Sequence, residues 1–495
     1  METPLTRFMI MADLPELYLL QQSAPPNALK DILFNPFVLP LVGGIGFLYI
    51  IILFNYLDKD KKLSYWLERS VCTAYIFLIS GIDGILQNPY NRLFPGGLAD
   101  RETSPTLKAM LIAVYVLILV LLSGRLSRTM RDYIYSLAMV AQKDAGLILV
   151  LFLNLFSASW SQTPDLTLQN SLVLIMVSLV AVYVGKQFSW TEIHFMLRWV
   201  AAILIILSLR SQNPDAEGNW AGILVHKNPF SFAMAQGVIW WLLQAFYQPK
   251  YRRRSILFIV LCLYGLQKGG SGASRIIFLM LAILWGYIGI IKKIPVKWAF
   301  LSVVIFLILG INATIWVSDN LQYIIVDKLN KDITLTGRTD FWPQIWDKIL
   351  ENPMGYGTRS FFQAWRGADN PAFTLRTTTG FKPPNAHNGI LELGTEIGIL
   401  GMVFFAVSFF NNLSRSIIHL SQNKQPEASI PLQILTYLLM TNITESALMG
   451  INTTWFCYVA MSTRFSLDIK GNIMSDEYKK TPKQNNSSQP SLRSG

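Results

Sequence analysis

The chain has 495 residues, 52% of them hydrophobic and only 15% charged, with a mean hydropathy of +0.38. Soluble domains carry about 25% charged residues, so an ordinary soluble fold is excluded. The net charge of +12 suggests a nucleic-acid partner, but in so apolar a chain basic residues flank spans on the cytoplasmic side, and no nucleic acid is expected.

Apolar runs near twenty residues recur, each enough to cross about 30 Å of hydrocarbon. They lack the period-two alternation of a β-barrel. The expected fold class is all-α: a polytopic integral membrane protein with about 12–13 transmembrane helices. In chain order the spans fall near 38–57, 70–87, 109–124, 145–160, 170–186, 195–209, 229–247, 255–268, 274–291, 298–317, 387–410, 430–447 and 450–466. The expected organisation is an N-terminal segment 1–37, a helical bundle 38–317, a large polar loop 318–386, C-terminal spans 387–466 and a polar, disordered tail 467–495. The N-terminus lacks the basic start, apolar core and cleavage site of a standard signal peptide. Asp58-Lys59-Asp60 has the form of a metal-binding DxD but lies in a basic loop. Cys72, Cys262 and Cys457 are isolated and form no metal spacing. No metal or cofactor is expected.

Short loops with surplus lysine and arginine, such as Lys250 to Arg254 and Lys292 to Lys297, all fall on one side if spans alternate. That side, with the C-terminus, is expected to be cytoplasmic. The opposite side receives 88–108, 159–169, 210–228, 269–273 and the loop 318–386, whose eight Lys/Arg nearly balance seven Asp/Glu. Within this loop Thr339 or Asp340 is expected to cap a helix with Pro343 in its first turn. Phe341, Trp342, Ile345, Trp346, Ile349 and Leu350 recur at helical spacing, which predicts an amphipathic helix lying on the membrane surface.

Chemistry-bearing residues gather at the outer ends of spans. His226-Lys227-Asn228 opens the seventh span, Arg275 the ninth, Arg338 the large loop, and His387 ends that loop. Arginine offers forked donors to phosphate and lysine a point charge, while histidine is the natural base near neutral pH. Asn388, Glu392 and Glu396 are spaced to share one helix face, and Glu392 is placed to orient His387 or to mark a cavity. Glu445 belongs to another polar cluster, at the outer end of the twelfth span. Taken singly, these residues also fit ordinary roles: a snorkelling arginine, a loop ion pair, interfacial polar groups.

Taken in order, they resemble the O-antigen ligase family and the related Wzy-type polymerases and membrane oligosaccharyltransferases. The resemblance runs from about 150 to 465. It rests on Ser157-Ala158-Ser159-Trp160-Ser161 with Pro164 and Thr167, Gly222, His226-Lys227-Asn228 and Ser274-Arg275. It continues through Gly337-Arg338-Thr339, Trp342, Pro353, Gly355-Tyr356-Gly357 and Ala386-His387-Asn388, ending at Glu392, Glu396 and Gly398. It implies a metal-independent, inverting glycosyltransferase of the bacterial inner membrane, with its site on the periplasmic face. The implied donor is a glycan on polyprenyl (undecaprenyl) diphosphate. The acceptor is a glycolipid or glycan hydroxyl, on lipid A–core for a ligase, and membrane lipids surround the protein. His387 and Arg338 are the implied catalytic residues. Arg275, Arg338 and Lys227 bind diphosphate; His226, Asn388 and Glu392 support them. The alternatives are a Wzy-type O-antigen or exopolysaccharide polymerase and, from another class, a protein connected with inorganic-carbon transport.

Overall fold

The computed structural model describes residues 60–82, 126–224, 226–329, 338–377, 380, 382–423 and 425–467. The expected spans at 38–57 and 109–124 lie outside the described residues. Every regular element described is helical: α1 Lys61–Leu78, α2 Leu126–Lys143, α3 Ala145–Phe156, α4 Pro164–Gln187, α5 Trp190–Arg210, α6 Lys227–Tyr247, α7 Arg252–Gly269, α8 Gly272–Ile291, α9 Val296–Leu329, α10 Arg338–Glu351, α11 Gly389–Gln422, α12 Ile430–Thr444 and α13 Thr453–Ser466. Five are long and apolar enough to cross a membrane: α4, α5, α8, α11 and the Val296–Trp316 part of α9. The bent pair α2–α3, turning by 102°, makes a sixth if counted as one broken span.

Local chemistry sets several boundaries. Pro164 occupies the first turn of α4, where its missing N–H costs nothing. Ser189 and Glu192 form a reciprocal capping box at the start of α5. Gly270, at φ +66°, ends α7. Asp144 caps α3 through Leu147 N–H and also accepts from Ser408, Asn412 and Ser462 at 3.0, 2.6 and 2.6 Å, tying α3 to α11 and α13.

From Lys62 onward the described helices form one unit. α6 packs along α7, α4 along α13 and α3 along α11. The outer surface is apolar at helical spacing: Leu301, Ile305 and Ile308 on α9, and Leu400, Val403, Val407 and Phe410 on α11, are exposed. Ser171, Ser178, Gln244, Asn412 and Thr436 lie inside. Apolar residues facing out and polar residues facing in are what a lipid solvent selects.

α10 departs from expectation. Its helix begins at Arg338, so Pro343 sits inside it rather than in the first turn. Its apolar stripe does not face outward as a whole. Phe341, Ile345 and Ile349 are buried against Phe361, Ala372, Leu375 and Ala386, leaving Trp346 and Leu350 exposed. Burying each such side chain stabilises the loop by about 1.5–3 kcal/mol, so the outer loop carries its own small core.

α11 is broken at Ile397 and Gly398, where Gly398 has φ +71°. The break frees backbone groups that lipid could not satisfy. The segment after α10 satisfies them: Tyr356 N–H donates to Thr395 O (2.8 Å), Gly357 N–H to Glu396 O (2.9 Å), and Ile399 N–H to Pro353 O (2.9 Å). A Cβ on Gly398 would lie 2.1 Å from Pro353 O, so only glycine allows this approach.

Candidate active site

The segment that fills the break is itself anchored to the other side of the bundle. Thr167 Oγ1 donates to Thr358 O (3.1 Å), Thr358 N–H to Ser157 Oγ (3.3 Å), Thr163 Oγ1 to Ser360 Oγ (3.0 Å) and Gln363 Nε2 to Thr163 Oγ1 (3.0 Å). The serine and threonine residues around Ser157 to Thr167 therefore hold the loop that splints α11.

α11 in turn sets His387. Asn388 caps the helix by accepting from Ile390 and Leu391 N–H. Asn385 Oδ1 accepts from His387 N–H (2.9 Å), Trp342 Nε1 donates to Ala386 O (2.9 Å), and Ala386 N–H donates to Glu392 (2.8 Å). These bonds hold His387 at φ +46°, a left-handed conformation rare for a side chain this size. Glu392 thus fixes the backbone before His387 and accepts from Ser446 Oγ (3.0 Å). The carboxylate beside the His387 ring is Glu445, not Glu392.

Glu445 is the meeting point. It caps the C-terminus of α12, with its Oε1 2.8 Å from Asn228 Nδ2 and 3.7 Å from Arg338 Nη2, and its Oε2 3.8 Å from His387 Nδ1. Three segments remote in sequence converge on one carboxylate. Burial alone would push the Glu445 carboxyl up. The adjacent His387 imidazole, the Arg338 charge and the Asn228 amide outweigh burial and hold it below its ordinary range. Close approach is permitted by Gly389, whose Cβ would lie 2.1 Å from Asn442 Oδ1, while Asn442 accepts from Ala447 N–H and shapes the turn after Glu445.

The other expected site residues are placed differently. His226 caps α6, its Nδ1 accepting from Asn228 N–H (3.2 Å). Lys227 is paired with Asp215 (2.9 Å) and Glu217 (3.1 Å). Burial raises the Asp215 carboxyl, but Lys227 and Asn219 together outweigh it and bring it down to about 2. The Lys227 charge is therefore already neutralised. Arg275 is exposed on the first turn of α8, with Gln267 O at 3.5 Å as its hydrogen-bond acceptor. Glu396 is buried, accepts from Arg359 N–H (3.1 Å), and lines a small, partly open pocket with Arg359, Glu392 and Ser446. Among the described residues no cluster of three or more His, Cys, Asp or Glu is arranged to hold a metal ion.

Sequence reading singled out Arg338 and His387 but gave no role to Asn228 or Glu445. Their signal was a polar cluster at the end of an apolar helix, and only the fold shows what it faces.

Fold and site define a multi-pass helical membrane protein with arginine, histidine and a carboxylate gathered beside the start of one broken helix. Residues 255–406 match the family model described as O-antigen ligase. That match supports a membrane glycosyltransferase of the O-antigen ligase and polymerase type. A comparison with curated proteins returns no match. The matched segment holds Arg275, Arg338, His387 and Glu392; Asn228 and Glu445 lie outside it.

Proposed function

We propose that the chain transfers a glycan from polyprenyl diphosphate to an acceptor hydroxyl on the periplasmic face of the inner membrane, as an O-antigen ligase acting on lipid A–core. The supporting observation is the convergence of Arg338 and His387 on Glu445. A carboxylate beside Nδ1 favours the imidazole tautomer with its proton there, leaving the Nε2 lone pair to receive a proton. In the reaction His387 takes the acceptor hydroxyl proton as its oxygen attacks the anomeric carbon. The glycosidic carbon–oxygen bond to the diphosphate breaks with inversion, and the bonding pair leaves on the diphosphate. Arg338 stabilises that growing charge, with exposed Arg275 as a second contact. Glu445 is a positioning residue that holds both groups in register.

The reading is tested by glycan profiling in a deletion strain complemented with wild type, His387→Ala or Arg338→Ala at matched membrane levels. Wild type restores long-chain glycan on lipid A–core and neither variant does. Accumulated lipid-linked long chains mark a ligase, and accumulated single repeats would reassign the chain to the Wzy-type polymerases. A glycan profile unchanged by the deletion would overturn the pathway assignment.

A further inference from the structure

At the far end of α6 from the site just described lies a second, differently built basic cluster. Asn228 opens α6, and Trp241 lies about 20 Å along it at roughly 1.5 Å per residue. Beside Trp241 sits Arg198 of α5, only 4% exposed and with no hydrogen bond to its Nε. Arg198 contacts rings instead: Phe195 at 5.3 Å and Trp241 at 5.1 Å. Arg69 of α1 approaches the same Phe195 at 4.3 Å, and Arg254 of α7 lies over Trp199 at 5.4 Å, next to Trp241 at 5.8 Å between ring centres.

Among the described residues no carboxylate forms an ion pair with Arg69, Arg198 or Arg254 within 4 Å, although buried Glu68 neighbours Arg69 on α1 and accepts from Ser64. The charge that bears on Arg198 is the like charge of Arg254. Glu192, the acid on the same helix, is engaged by its own cap at Ser189 and by the Tyr65 hydroxyl. The unsatisfied buried atoms beside Arg198 and Arg254 are donors: Nε of Arg198, Nε of Arg254, and the indole N–H groups of Trp199 and Trp241; on α1 the unsatisfied buried atom is Glu68 Oε2. Adjacent like charges at low dielectric, surrounded by unused donors, are costly in isolation. An anion rich in acceptors removes both costs at once. Arg69 and Arg254 are half-exposed, and Trp66, 4.3 Å from Arg69, is 52% exposed, so the cluster opens to the lipid–water boundary. The loop Lys250 to Arg254 that borders it is the basic loop expected on the cytoplasmic side.

We propose that Arg69, Arg198 and Arg254, with the indoles of Trp199 and Trp241, bind the phosphate of an anionic phospholipid headgroup in the leaflet opposite His387. The phosphate oxygens take the guanidinium and indole donors, and the acyl chains lie along the apolar outer surface. This site is independent of the transfer reaction.

The test uses the purified, delipidated full-length protein and native mass spectrometry with phosphatidylglycerol, phosphatidylcholine of the same chains, and inorganic phosphate as probes. Phosphatidylglycerol is expected to bind at least about tenfold more tightly than phosphatidylcholine, and Arg254→Gln or Arg198→Met to remove about that factor. Arg253→Gln, an exposed neighbour, is expected to change binding less than about threefold, as a general surface charge would. Arg254→Gln alters a half-exposed side chain, so the test survives if Arg198→Met fails to fold. Equal binding of the two lipids, or an Arg254→Gln protein that binds like wild type, would overturn the proposal. Inorganic phosphate binding alone as tightly as phosphatidylglycerol would overturn the lipid assignment in favour of a soluble anion.

Discussion

Glu445 makes the strongest demand at the scale of single residues. It contacts Arg338, His387 and Asn228 together, so its removal should act on both of the side chains proposed to carry the transfer. Glu445→Gln keeps the shape and the Asn228 contact but loses the charge. It should lower kcat by roughly 10²-fold while the KM for the lipid-linked donor moves little, and Glu445→Asp should recover part of the loss. A Glu445→Gln enzyme with wild-type kcat would remove the positioning role. The sign of its pH effect follows from the depressed carboxyl: the contribution to stability is present above about pH 4.3 and is lost as pH falls through the lower folded value. Lys227 makes the opposite case. Paired to Asp215 and Glu217, it has little charge to spare, and Lys227→Ala should cost much less activity than Arg338→Ala in a glycan-transfer assay. The Asp215 pairing should persist in acid until pH falls from about 3.9 toward about 2. Arg338 and His387 were legible in the sequence because rare polar types at the borders of apolar runs stand out. Glu445 was not, because its partners reach it only through tertiary packing. Glu392 lines a pocket, one of its two expected roles, and holds the backbone before His387 rather than its ring, a distinction helical spacing alone does not make.

At the scale of elements, the break in α11 is the feature that spacing alone conceals. A run of apolar residues through Ile397 and Gly398 reads as one uninterrupted span, yet its backbone bonds pass to Pro353, Tyr356 and Gly357. Gly398→Ala adds left-handed strain and places a Cβ 2.1 Å from Pro353 O. It should destabilise the protein by at least about 1–3 kcal/mol, read as a lower melting temperature in detergent, with transfer lost alongside. Wild-type melting in that variant would mean the splint is dispensable. Most expected spans within the described residues appear as helices with similar ends, because long apolar runs leave few alternatives, but α1 starts nine residues before its expected span, and α9 and α11 each run twelve residues past theirs. α2 was not foreseen: its sequence was read as the basic loop between the third and fourth spans. α10 was seen as amphipathic, but periodicity gives the buried face, not the partner, and the partner is the core of its own loop.

Orientation belongs to the whole molecule. The basic loops predict that residues near Arg253 and near Arg366 lie on opposite sides of the membrane. The native cysteines are buried, so a membrane-impermeant maleimide should report introduced ones with little background. Cysteine at 366 should label in intact spheroplasts, and cysteine at 253 only after the membrane is opened; labelling of both in intact spheroplasts would reverse the reading. The way the outer loop is fastened also sets what can be exchanged between proteins of this kind. Residues 353–366 interlock with the α11 break and with Ser157 to Thr167, whereas 371–377 is joined chiefly to the loop's own core and α10. A chimera built to change glycan preference can therefore graft the latter stretch alone. One cut inside the former must carry the matching strip of α4 and α11 with it, so the unit of inheritance for the loop is larger than the loop itself.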